Sequence, residues 1–331
     1  MGLFRPKFTP LPSNIDLTDK TAVITGATAG LSLETARQLL HLNISIIILA
    51  TRNISKGQSC IRDLYNDPII QSRKLRAEIQ VLELDMDRHD SIQSFAKALR
   101  ETVPAVDIFI LDAGVNFSPF KRSLTDHEHS MQVNYLSSVL LLAELLPYFE
   151  SSAEKTGSTV RITWLGSRTY YVTNTLEKTV LTKSEQGLLE YMNSEKDFKS
   201  LTRYADNKLL YAMFVYALAP RLDIKKITIN MVCPGVVKTD LGYDSPWYIR
   251  GLVGALRTIR ARPVEIGGLL VVNAAVVAGD ESHGQILVDK EIVQPIDYLQ
   301  SSQGQRLQEK LWIDTVEEMA KHMVLPSAFT E

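Results

Sequence analysis

Tyr204 and Lys208 stand four residues apart in the run RYADNKLLYAMF. On a helix that spacing puts a phenol and an ammonium side by side on one face. A cation next to a phenol favours the phenolate, so the pair predicts a Tyr204 pKa below the free value of about 10. Such a phenol can exchange a proton with a carbonyl or alcohol oxygen near neutral pH, the proton transfer that carbonyl reduction requires. Of the twelve tyrosines, only Tyr204 has a lysine four residues on.

A second chemically informative run is Thr25-Gly26-Ala27-Thr28-Ala29-Gly30-Leu31-Ser32. It follows the β-branched stretch TAVIT and opens the amphipathic stretch LETARQLLHLN, so strand, glycine turn and helix come in that order. An apolar strand at 44–50 completes a βαβ unit. Glycines in such a turn let the backbone approach a pyrophosphate, whose charge then lies on the helix N-terminus.

With four further motifs, these residues resemble the short-chain dehydrogenase/reductase family over most of the chain. The family's TGxxxGxG matches Thr25, Gly26 and Gly30, with Ser32 in place of the last glycine. Its NNAG appears as Leu111-Asp112-Ala113-Gly114, and its helix asparagine as Asn134 in MQVNYLSS. Its catalytic serine matches Ser167 in RITWLGSR, where the usual Ser-Ser pair reads Gly166-Ser167. YxxxK is Tyr204 to Lys208, and PGxVxT runs from Pro234 to Thr239. The nearest likeness is to the retinol-dehydrogenase-like branch, including its fungal secondary-metabolism relatives.

The resemblance implies a catalytic set of Asn134, Ser167, Tyr204 and Lys208. Tyr204 would pass a proton to or from the substrate oxygen, and Ser167 would hydrogen-bond that oxygen. Lys208 would tune Tyr204 and hold the nicotinamide ribose, and Asn134 would keep a water for proton relay. Cofactor contacts are implied at Gly26, Thr28, Gly30, Leu31, Ala113, Gly114, Tyr204, Lys208, Val237 and Thr239, with Asp85 on the adenine. The end of the second strand offers Thr51 where an acidic residue would bind a ribose 2′-hydroxyl. Arg52 beside it suits a 2′-phosphate, which favours NADP(H) over NAD(H).

Strand and helix patterns alternate along the chain, which predicts an α/β fold: one doubly wound Rossmann-type domain over 1–331. Seven parallel strands are expected at 21–25, 45–49, 78–84, 107–111, 159–165, 227–232 and 285–288. By resemblance their order is 3-2-1-4-5-6-7. Helical stretches include 91–100, 127–149 and 202–221. Three parts exceed a minimal core: an N-terminal arm (1–18), an insertion before the tyrosine (168–203) and a segment after the PG motif (241–262). Ser167 and Tyr204 are 37 residues apart, a longer gap than the family commonly leaves. The aromatic, aliphatic and arginine residues of 245–262 read as a substrate lid, with membrane contact or a subunit contact as the rival readings.

Composition excludes several classes. Hydrophobic residues make up 45% and charged residues 22%, ordinary for a globular protein, and the net charge of −2 argues against a nucleic-acid partner. The two cysteines, Cys60 and Cys233, read as small buried apolar groups, too few for a disulfide framework. No stretch reads as an export signal or a membrane span, so a cytoplasmic protein is expected, and GLLVVNAAVVAG (268–279) reads as a core helix. No metal site is expected: His127 and His129 are two residues apart and read as a solvated pair at a helix start.

The expectation is an NADP(H)-dependent oxidoreductase interconverting a hydrophobic ketone or aldehyde and its alcohol, mostly by reduction, in secondary metabolism. Its partner is the small molecule, with a homodimer open. The alternative is a non-catalytic NADP(H)-binding sensor or scaffold, because the bulk of Ser32 at the turn would weaken nucleotide binding.

Overall fold

The computed structural model describes residues 9–73, 77–115, 119–172, 187–238 and 261–330. Its sheet is built from β1 (Thr21–Thr25), β2 (Ile46–Thr51), β3 (Glu78–Glu83), β4 (Ile108–Leu111), β5 (Val160–Leu165), β6 (Ile227–Cys233), β7 (Ile286–Val288) and β8 (Glu291–Val293). The strands lie in the order β3-β2-β1-β4-β5-β6-β7-β8. The first seven are parallel and in the expected order.

The expected count of seven parallel strands needs one correction. An eighth strand pairs antiparallel with β7, with Leu287 opposite Ile292. Asp289 and Lys290 join the two with φ of 53° and 73°, so both central residues of a two-residue hairpin are left-handed. That backbone twist matches the strands it connects. No Asn-Gly or Asp-Gly announces the turn, and a three-residue strand is too short to show alternation.

Each face of the sheet has its own core, as the period of two in a strand dictates. Val23, Phe109, Ile162, Trp164, Ile229 and Met231 point to one side, under the helices His89–Thr102, Ser137–Thr156 and Ser200–Leu218. Ala22, Ile24, Ile108, Ile110 and Val232 point to the other, under Gly30–His41 and Val264–Val272. Those last two helices approach closely because Gly268 faces Gln38 and Glu34, where a Cβ would lie 2.8 Å from Gln38 Nε2. Among the described residues no helix is long and apolar enough to cross a membrane.

The helix Ser200–Leu218 is buried nearly all round, its polar Arg203, Asp206 and Asn207 included, and the last part of the chain explains why. Helix Ser302–Ala320 lies over it, with the Trp312 ring 5.7 Å from Phe214 and Thr315 Oγ1 2.8 Å from Tyr135 Oη. The stretch 168–203 is in part ordered secondary structure. It holds a 3-10 turn, Arg168–Val172, and the helix Leu188–Asn193, whose Leu188 and Leu189 N–H groups donate to the Asp314 carboxylate.

The histidine pair is not solvated. His129 is buried with Nε2 3.8 Å from Asp87 Oδ2, and half-buried His127 has Nε2 3.4 Å from Glu318 Oε1. Glu318 of the helix Ser302–Ala320 and Asp87 beyond β3 are neighbours that a local reading of residues 127–129 could not supply. Both cysteines are buried and free, as expected.

Candidate active site

Chain crossovers at the carboxyl ends of β1, β4, β5 and β6 bring the motif residues together. At the end of β1, Thr25 Oγ1 accepts from the N–H groups of Asp112 and Ala113, both at 3.0 Å, and so ties β1 to β4. Gly26 follows with φ +71°, and a Cβ there would lie 2.9 Å from Ala113 Cα. Only glycine meets both conditions without strain. Gly30, at φ +56°, starts the helix Gly30–His41. Its N-cap, Ala29, provides no side-chain cap, and the first turn carries no acidic residue. The N-terminal N–H groups are thus left for an anion.

Other expected cofactor positions surround this turn. Leu31 and Val237 both flank Gly267, where a Cβ would lie within 2.9 Å of each. Gly114 lets the chain pass Asn134, since a Cβ would lie 2.9 Å from Asn134 Oδ1. Thr28 N–H donates to Gly26 O within the turn. Exposed Arg52 follows the last residue of β2, and Asp85 lies just beyond β3, its Oδ1 accepting from Asp87 N–H at 3.1 Å. An exposed glycine turn and an uncapped helix start fit the pyrophosphate of a dinucleotide. Thr239 and residues 241–260 of the expected lid lie outside the described residues. The segment's two stems are joined: Arg262 N–H donates to Val236 O and Lys238 N–H to Arg262 O, while Arg262 pairs with Asp289.

On the catalytic side, Ser167 lies two residues beyond β5 and Tyr204 in the first turns of Ser200–Leu218. The Ser167 hydroxyl hydrogen-bonds the Tyr204 phenol despite the long gap in sequence. Thr169 donates to Ser167 Oγ from both its N–H and its Oγ1 (3.3 and 3.1 Å), which orients the serine. Lys208 lies one turn after Tyr204, with Nζ 5.5 Å from the centre of its ring. Asn134 sits in a π-helical turn, Gln132–Leu136, ahead of Ser137–Thr156. Both ends of its amide are engaged with the main chain of Val115, at 2.7 and 2.9 Å. Its side chain therefore pins the loop after β4.

One expectation about electrostatics is overturned. Tyr204 is raised well above the usual tyrosine value, not lowered. Burial is the largest cause, with the Cys233 and Asp112 charges adding to it and the Ser167 hydrogen bond opposing. Lys208 does not counter this because its ammonium is turned elsewhere. It donates to Leu165 O at 2.8 Å and lies 4.2 Å from the centre of the Tyr211 ring. Burial pulls Lys208 below the usual lysine range, and Asp112 opposes that pull.

Two site residues escaped the motif reading. Cys233 closes β6, and its Sγ accepts from Arg168 N–H at 3.2 Å beside the serine. Burial pushes its thiol up. Asp112 is the other. Its carboxylate accepts a hydrogen bond from Ser32, which is itself buried. The bulk at Ser32 is thus accommodated by a polar partner across the strand ends. The signal for Asp112 was present: both residues are departures from the family's motifs.

Comparison with known proteins agrees with this geometry. Residues 20–175 match the short chain dehydrogenase family. The chain is 51% identical over 326 residues to the short chain dehydrogenase yanD of Aspergillus niger, covering 98% of each chain. It is 47% identical over 323 residues to the short-chain dehydrogenase/reductase tropG of Talaromyces stipitatus, again covering 98% of each. The chain belongs to the short-chain dehydrogenase/reductase family. It is an oxidoreductase of the CH–OH class that uses NAD(P). The Pseudomonas aeruginosa RhlG/NADP complex shares its fold, with a TM-score of 0.61 over 84% of this chain and 97% of that one, at 18% identity.

Proposed function

We propose that this dehydrogenase/reductase reduces a hydrophobic ketone or aldehyde with NADPH, with Tyr204 as proton donor. The carrying observation is the hydrogen bond between Ser167 and Tyr204, reached across 37 residues of sequence, with Lys208 one turn further on the same helix. Buried Tyr204 carries its proton at neutral pH, as a donor to a carbonyl oxygen must, and the direction follows from the supply of NADPH. Ser167 hydrogen-bonds and orients the substrate oxygen. When bound, the nicotinamide supplies the hydride. Gly26, Thr28, Gly30 and Leu31 hold the pyrophosphate end, Asp85 the adenine, and Arg52 a 2′-phosphate. Ala113, Gly114, Val237 and Thr239 line the nicotinamide half, and Lys208 holds its ribose. The sheet and its two helical layers act as one domain, with 241–262 as the lid over an apolar substrate.

Fungal relatives at 47–51% identity support a place in fungal secondary metabolism, while the retinol-dehydrogenase-like branch rests on the motif resemblance alone. The non-catalytic alternative rests on Ser32; its pairing with Asp112 and the retention of Ser167, Tyr204 and Lys208 support the catalytic reading against it. The test is NADPH consumption over hydrophobic carbonyl compounds of graded size, run beside Tyr204→Phe. Turnover by the native chain and none by the variant, with NADPH binding nearly intact, is the expected result. Full activity in Tyr204→Phe, or turnover of small oxo acids alone, would refute the reading.

A further inference from the structure

We infer that Asp112, held by Ser32, is a positioning residue that keeps the Lys208 ammonium charged and seated behind Tyr204. This rests on the reading of Tyr204 and Lys208 given above and adds a second tier beneath it.

Strand register places the three residues. Leu111 pairs with Trp164 between β4 and β5, so Asp112 and Leu165 are the next residues on two adjacent strands. Lys208 Nζ donates to the Leu165 carbonyl at 2.8 Å, which seats the ammonium at that step of the sheet. The Asp112 main chain cannot drift, because its N–H and that of Ala113 are both held by Thr25 Oγ1 at 3.0 Å. One carboxylate oxygen, Oδ2, takes the Ser32 hydroxyl proton in a hydrogen bond. The carboxylate and the ammonium act on each other electrostatically, each favouring the other's charged form.

Each partner needs the other. A lysine enclosed as this one is tends to lose its proton; the Asp112 carboxylate is the larger of the two groups that oppose the loss, the Cys233 thiol at the end of β6 being the other. An enclosed carboxylate tends to gain a proton, and the Ser32 hydroxyl and Lys208 together oppose that gain. A glycine at position 32 and an asparagine at 112, as in the family's motifs, would supply neither the donor nor the charge. The two departures therefore form one electrostatic unit, and its output is the charge on Lys208.

NADPH binding followed by fluorescence between pH 6.5 and 10 provides a readout that does not depend on turnover. If the ammonium holds the nicotinamide ribose, affinity falls as Lys208 loses its proton, and the midpoint of that fall reports its titration. Asp112→Asn keeps the shape and an acceptor for Ser32 but removes the charge. The alkaline midpoint should move to lower pH by about one unit or more. Asp112→Glu, which restores the charge, should return it toward the native position. Ser32→Ala should move it the same way by less, because a carboxyl without its donor holds its own proton longer and offers the lysine a smaller counter-charge. A merely structural role would change affinity at every pH without moving the midpoint.

An unmoved midpoint in Asp112→Asn overturns the inference. If that variant does not fold, an unmoved midpoint in Ser32→Ala does so. Turnover separates the two levels. Full activity in Tyr204→Phe refutes the catalytic reading beneath, whereas an inactive Tyr204→Phe with an unmoved Asp112→Asn midpoint refutes only the role of Asp112. A native chain that binds no NADPH refutes both.

Discussion

Acidification from pH 7 to pH 5 should loosen the cover formed by the C-terminal helix, and His89 accounts for a measurable share. His89 begins the helix His89–Thr102, with its ring centre 4.1 Å from that of His322 just past Ser302–Ala320. His322 Nε2 and His127 Nε2 approach the same Glu318 oxygen, at 3.1 and 3.4 Å, and Lys321 takes the other oxygen at 2.7 Å. Burial pushes His89 from 6.5 down to about 4, with the His322 and His127 charges adding to it. The folded value is depressed, so the unfolded chain takes up the proton first as pH falls. The stability linked to a neutral His89 is present above pH 6.5 and is lost as pH falls through the window down to about 4.

At pH 5 that shift corresponds to about 2 kcal/mol, and solvent screening of a half-buried ring leaves about 1 kcal/mol. His127 is also lowered by burial and acts in the same direction. Burial alone would raise Glu318, but its bonds to Lys321 and His322 hold it below its usual value. Urea unfolding of the native chain and of His89→Gln at pH 7 and pH 5 measures the effect. The variant should lose about 1 kcal/mol less than the native chain between the two pH values. Equal losses in both would refute the assignment to His89.

Three further outcomes are expected. Gly26→Ala forces a side chain into a left-handed position against Ala113, so it should cost about 1–2 kcal/mol or more and abolish NADPH binding; thermal melts and fluorescence titration check this. Arg52→Ala should weaken NADPH about tenfold or more and leave NADH nearly unchanged, read from the two dissociation constants. Trp312→Ala removes a ring packed between Phe214 and Phe329 with the Arg221 guanidinium 4.2 Å from its centre, and should cost about 2–3 kcal/mol in urea unfolding.

Much of the fold and site was legible in order along the chain. The alternation of strand and helix patterns foretold the seven parallel strands, because a βαβ crossover leaves a local signature in both its strand and its helix. The hairpin to β8 left none. The place of the candidate site was likewise legible in Thr25, Gly26, Asn134, Ser167 and the Tyr204–Lys208 pair, since close backbone approach and the proposed proton transfer each restrict residue type. Its electrostatics were not. The i, i+4 spacing correctly set Tyr204 and Lys208 on one helix face but could not say which way the ammonium turns.

By itself, the sequence determined which residues meet at the carboxyl ends of the strands, because the period of the pattern dictates the topology and the topology dictates the meeting place. Only the tertiary structure decided what those residues feel. Burial raised Tyr204 against the pull expected from its neighbour, and the Leu165 carbonyl and Tyr211 ring drew Lys208 aside. It also joined Ser32 to Asp112 across 80 residues. Solvation and charge depend on everything within a few ångströms in space, and most of those neighbours are far away in sequence.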